Sequence, residues 1–206
     1  MMFHKKPYAP GSVFLLATAF ALAGCVSIGG KPPQQLLTLD PAQKVQAGTP
    51  RAAATGPGLI ILDPEAPRVI DTIRVAVQTT PTSAAYVTKV QWAETPRHLF
   101  QRLLAETVSA TSNRMVLDPG QSGDERTQRL TGELISFGLD ARTNSAVVTY
   151  EAVLTNITGT VVARQRFTAT QPVGGKIEAN TIGAPLNAAA NKVAADVAAW
   201  LGIAGG

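Results

Sequence analysis

A thiol, an imidazole and scattered carboxylates are the groups in this chain that could carry chemistry. The single cysteine is Cys25, and the single histidine beyond it is His98. A hydrolytic triad needs its histidine in a cleft beside a serine and an acid. No Gly-x-Ser-x-Gly elbow accompanies His98, so an exposed or capping role in the first turn of a helix suits it better. Transition-metal sites gather His, Cys, Asp or Glu at ligand spacing, and one histidine with one N-terminal cysteine does not do so. Asp124-Glu125 falls short of a calcium loop. Glu133 and Asp140 share a predicted strand without a carboxylate partner at a readable spacing. Gly174-Gly175-Lys176 lacks the spacing and the following Ser/Thr of a phosphate loop. Asn156-Ile157-Thr158 matches a glycosylation sequon but reads as a strand end and turn. No catalytic residue, metal or cofactor is expected.

Cys25 closes the stretch LATAFALAGC. Lys5 and Lys6 precede a short apolar run, Val13 to Leu22, far shorter than the ~20 residues that cross a bilayer. A basic start, a short apolar core and small residues before a cut point make a secretory signal peptide. Leu22-Ala23-Gly24-Cys25 resembles the bacterial lipobox. That resemblance implies a thiol alkylated with diacylglycerol, cleavage before Cys25 and acylation of the new amine. The competing reading is an ordinary signal peptide with a stray thiol. Lipidation explains better why one cysteine stands here without a disulfide partner. Several acyl chains hold a bilayer far better than one. Val26, where an aspartate would imply inner-membrane retention, favours the outer membrane.

Composition narrows the partners. Eighteen Lys+Arg against fourteen Asp+Glu give a net charge of +4, and removing Lys5 and Lys6 lowers it to about +2. The remaining basic residues are scattered, so nucleic acid is not an expected partner. Aromatic residues make up only 5%, which argues against a stacking platform. The chain divides into a leader over 1–24, a lipidated tether over 25–35 and one domain over 36–206, long enough for a single core.

Within that domain Leu36 to Leu39 reads as a first strand, and Asp40 to Gly58 as a long mobile loop. The apolar run Leu59-Ile60-Ile61-Leu62 stops at Asp63-Pro64-Glu65-Ala66-Pro67, where prolines should deny ladder hydrogen bonds. Ile73, Val75 and Val77 alternate with Arg74 and Ala76, as in a half-buried strand. Ala84 to Trp92 is the next strand. Thr95-Pro96 predicts a helix N-terminus, with Leu99, Phe100, Leu103, Leu104 and Val108 on one face and an end near Ser112-Asn113. A short strand follows at Met115 to Leu117. Strands over Arg129–Ala141, Val147–Asn156 and Val161–Gln171, joined at turn residues, predict an antiparallel meander. A long helix over Thr181–Leu201 closes the chain, with an apolar stripe that includes Trp200. The expected fold is a single α+β domain, a mostly antiparallel sheet with two main helices packed on one face.

Ordered fragments carry a wider likeness: LLTLDPA after the lipobox, then LIILDPEAPRVIDTIRVAVQ, AAYVTKVQWAETPRHLFQRLLAETV, RLTGELISFGLD, RQRFTATQPV and a closing AAWL. Together they resemble the ABC-type transport auxiliary lipoproteins, the PqiC-like family. Members often carry tyrosines where this chain has Leu36-Leu37. The resemblance implies a non-catalytic α+β lipoprotein that works with an MCE-domain protein of an ABC transport system moving phospholipids or other hydrophobic molecules. It implies a place on the periplasmic face of the outer membrane, held there by the N-terminal lipid anchor. Homo-oligomerisation stays open. The expected partner surface is Asp63, Pro64 and Pro67 with Tyr86 and Trp92, since aromatic residues dominate interface hot spots; the alternative is that the two aromatic residues fill the core. Two rival functions remain, a carrier with an apolar pocket between sheet and helices, and an envelope hydrolase using His98.

Overall fold

In a computed structural model, the described residues are 1–2, 35–48, 56–112, 114–121 and 124–204. Cys25 and most of its tether lie outside them. The chain divides into Met1–Pro32, where only the exposed Met1 and Met2 are described, and Pro33–Gly206.

The long strands form where β-branched and aromatic residues alternate with polar ones. These are β3 (Arg74–Thr80), β4 (Ser83–Trp92), β6 (Gln128–Asp140), β7 (Ser145–Asn156) and β8 (Val161–Pro172). In β7, Ala146, Val148, Tyr150, Ala152 and Leu154 are all buried, while the residues between them, Val147 to Val153, are only partly so. That alternation fixes the register, because a one-residue slip would turn the whole set outward. β6–β7, β7–β8 and β3–β4 pair antiparallel.

Three short strands complete the sheet: β1 (Gln35–Leu37), β2 (Leu59–Ile61) and β5 (Val116–Leu117). β1 joins β4, and β2 joins both β5 and β6, all parallel; β3 also meets β6 in parallel. The eight-stranded sheet is therefore mixed, with antiparallel hairpins as its longest pairings.

Helix α1 (Pro96–Thr111) begins at Thr95, an extended N-cap residue whose side chain makes no capping bond. Its C-terminal carbonyl at Val108 accepts from the Ser112 amide and hydroxyl. Helix α2 (Gly183–Ala204) packs on β7 and β8, and α1 packs beside it against β2 and β5. The stripe Leu186, Ala189, Ala190, Val193, Ala194, Val197 and Leu201 is buried, and its alanines let the helix approach closely. A run of edge-on rings fills the centre: Trp92 to Phe137 at 5.4 Å, Phe137 to Phe100 at 6.3 Å and Phe100 to Tyr150 at 5.2 Å. Such pairs add about 1 kcal/mol beyond their buried area.

Two glycines are dictated by their surroundings. Gly132 has φ +149°, and a Cβ there would lie 1.9 Å from the Glu151 carbonyl. At Gly138 a Cβ would lie 2.5 Å from the Ala76 carbonyl, where β3 and β6 close together.

Three expectations need correction. Ile73 lies outside β3 and is 42% exposed, while Ala76 is buried along with Val75 and Val77; Ala76 is a small side chain set in a groove of the sheet, so its face is covered too and simple alternation fails. The expected mobile loop is fastened over residues 40–45. The Asp40 and Ala42 amides donate to Asn187 and Asn191 at 2.9 and 2.7 Å, and the Val45 amide donates to Glu106 at 2.7 Å. The third correction concerns the prolines around Glu65, whose place in the sheet bears directly on the candidate surface.

Candidate functional site

Glu65, flanked by buried Pro64 and half-buried Pro67, pairs with β6. Its amide donates to Gly132 at 2.9 Å and its carbonyl accepts from Leu134 at 2.8 Å, in a parallel bridge to Glu133. The prolines bracket a residue that joins the sheet; they do not keep the segment out of it. Pro67 then accepts from the Ile70 and Asp71 amides, both at 2.9 Å, in a tight turn.

Side chains fasten the same segment to α1. His98 Nδ1 lies 3.3 Å from both Asp63 oxygens, and its Nε2 lies 3.2 Å from Glu94. Arg102 donates to Glu94 at 2.9 Å, and Arg97 pairs with Asp71 at 2.9 Å. These groups are a third or more exposed, so each pair is worth at most about 1 kcal/mol. Both ring nitrogens of His98 thus face carboxylates.

Tyr86 and Trp92 part company. Tyr86 stays half-exposed, with the Arg74 guanidinium 3.8 Å over its ring. Trp92 is 1% exposed and packs edge-on to Phe137. The two positions share parity on β4, so an unbroken strand would put them on one face. A bulge intervenes: Ala76 pairs with Tyr86 but Arg74 with Gln91, and Lys89 adopts φ +64°. The extra residues rotate the strand, and Val90 and Trp92 turn into the core. Trp92 and Pro64 therefore leave the expected partner surface; Asp63, Pro67 and Tyr86 remain accessible.

Beside Tyr86 lies a feature no local pattern announces. The sheet face opposite the helices holds a groove of about 270 Å³ lined by Val69, Ile70, Ala76, Ala84, Ile135, Ser136, Gly138 and Val147. Small residues make its floor, and Asp140 and Arg142 stand among its polar lining. Val69 and Ile73 are exposed large apolar residues, 39% and 42%. A second groove, about 520 Å³ with a half-polar lining, runs between residues 38–44 and α1. The space between sheet and helices is occupied by the ring cluster and the α2 stripe, so the pocket expected there by the carrier reading does not coincide with either groove.

Electrostatics marks two further places. Asp140 accepts from the Arg142 amide and Nε, both at 2.9 Å, and from Nη2 at 2.6 Å; these bonds hold its carboxyl below the usual carboxylate range. Arg114 is 7% exposed, and Nη2 donates to Gln128, while Nε and Nη1 have no acceptor among the described residues. Burial lowers its proton affinity. Sequence carried no sign of this, because Arg114 sits in a polar run after α1. Nor could it reveal that Glu133 faces Glu151 across the β6–β7 ladder. Asp124 binds the Thr127 hydroxyl at 2.9 Å and Asn156 closes its own turn on Thr158 and Thr160, so both are structural. Among the described residues no cluster of His, Cys, Asp and Glu could hold a metal, and no helix is long and apolar enough to cross a membrane.

Fold and surface together define a class: a single α+β domain with an eight-stranded mixed sheet, two helices on one face and an apolar groove on the other. The sequence places it further. Residues 37–198 match the family of ABC-type transport auxiliary lipoprotein components, and the chain belongs to that family. Protein XCC0632 from Xanthomonas campestris has a similar fold, at 19% identity over 82% of this chain and 95% of that one, with a TM-score of 0.70. An uncharacterized protein is similar at 12% identity over 82% and 98%, with a TM-score of 0.63. Comparison with curated proteins returns no match.

Proposed function

We propose that this lipoprotein is a non-catalytic adaptor, anchored through Cys25 to the periplasmic face of the outer membrane, that docks an MCE-domain protein of an ABC transport system. The family supports the auxiliary transport role. The observation that carries the docking surface is the apolar groove beside Tyr86, on the face the helices leave bare. Val69 stands exposed in its lining, and Ile73 is exposed just before β3; Asp63 is held by His98 of α1. The tether from Val26 to Gln35 spans at most ~35 Å, which sets how far the domain stands from the bilayer. The transported molecules are phospholipids or other hydrophobic compounds.

Because Glu65 is stitched into the sheet, deleting the Asp63–Pro67 segment would damage the fold. Side-chain variants are the cleaner test. Tyr86→Ala combined with Ile73→Asp should weaken binding to the MCE-domain partner at least about tenfold, a loss of roughly 1.4 kcal/mol, with the thermal midpoint nearly unchanged. Unchanged affinity would place the partner elsewhere. The same groove favours one second reading, a carrier that holds a small hydrophobic ligand itself. Lipid co-purifying with the wild type in fixed ratio, and lost on Ala84→Trp, would favour that reading.

A further inference from the structure

The sheet ends in three margins among the described residues. β1 has three residues and β5 two, while β8 has twelve and bonds only to β7. Short margins are a common protection against unwanted strand pairing. β8 has a register shift at its start, opposite Leu154 and Thr155, and Pro172 at its end. Between them, from Ala163 to Gln171, the backbone runs without bulge or proline. Along such an edge every second residue turns its N–H and C=O outward, ready for another strand.

The side chains specify what that strand would carry. On the outer face Arg164 and Arg166 both lean back on Glu151 of β7, at 3.4 and 2.6 Å. They remain 61% and 59% exposed, and two guanidinium groups share one carboxylate. Glu133 faces Glu151 one strand further in, so it is only the charge beside the margin, carried by Arg164 and Arg166, that is positive and would favour acidic side chains on a neighbouring strand. A second copy of β8 centred near Gln165 would instead bring four guanidinium groups together. On the inner face Phe167 and Ala169 are buried, and Phe167 meets half-exposed Trp200 edge-on at 5.8 Å. Apolar side chains there would extend the core past its present lip.

We infer that the β8 margin accepts an extended strand from a partner protein, with acidic residues on one face alternating with apolar residues on the other. Main-chain bonds would give affinity and the alternation would give specificity. This surface is independent of the groove beside Tyr86.

The test uses the full-length chain in detergent and two synthetic ten-residue peptides, one alternating Glu and Val, the other Lys and Val. Fluorescence anisotropy should show the Glu/Val peptide binding at least tenfold more tightly. Its binding should slow amide hydrogen exchange in β8, and R164E/R166E should reverse the preference. Should that variant fail to fold, R164Q/R166Q must erase the preference. Equal binding of both peptides, binding of neither, or unchanged β8 exchange would overturn the inference. So would light scattering that shows self-association of the wild type together with β8 amide exchange that slows as protein concentration rises.

Discussion

Asp140 shows how a single turn residue ties stability to pH. Three donors from Arg142 stabilise its charged form. The folded value lies below the unfolded one, so this contribution is present above about pH 4 and is lost as pH falls through the folded value. Arg142→Ala should therefore lower stability near neutral pH, and the difference from wild type should vanish in strong acid. Urea unfolding at the two pH values checks it. Arg114 should behave in the opposite sense to an ordinary core residue. Its guanidinium is buried with two donors unmet among the described residues, so Arg114→Met should stabilise the fold by about 1 kcal/mol. A loss of about 3 kcal/mol would instead mean that the charge has a strong partner. Cys25 and His98 could be singled out from sequence because Cys25 is the single cysteine and His98 the single histidine beyond it. The contact of Asp63 with His98 could not, because it joins segments 35 positions apart, and the burial of Arg114 could not, because its polar neighbours in sequence give no sign of it.

The bulge at Lys89 governs β4. It separates Tyr86 and Trp92, and with them surface from core. Trp92→Ala should cost about 4 kcal/mol, as emptying a filled aromatic site does, whereas Tyr86→Ala should cost about 1 kcal/mol or less. Thermal or urea unfolding of the two variants separates them. Legibility followed length at this level. The meander and both helices carry periodicity over many residues, so their bounds are readable to within a few positions. β1, β2 and β5 have two or three residues each, too few for any period. Their parallel pairings, which make the sheet mixed, depend on tertiary contacts alone. The segment from Asp40 looks loop-like in composition, yet Asn187 and Asn191, about 150 positions away, hold it. No local signal encodes such a clamp.

The whole domain places its two helices on one side of the sheet and leaves the other side to a groove, a cation–aromatic pair and exposed valine and isoleucine. A covered core on one side and a groove flanked by exposed side chains on the other offer a partner a surface to cover. The adaptor is proposed to hang from Cys25. Intact mass spectrometry of the membrane-extracted protein should then show a chain that starts at Cys25 and bears acyl groups. Cys25→Ser should retain the leader and lack them.

Docking of a transport partner on the groove face is what joins the proposed anchor to the proposed function. Affinity purification of the full-length protein from detergent-solubilised native membranes, read by quantitative mass spectrometry beside the Tyr86→Ala, Ile73→Asp variant, tests it most directly. MCE-domain and ABC subunits should come through in fixed ratio with the wild type and be depleted from the variant. Wild-type protein that comes through the column without those subunits would contradict such docking.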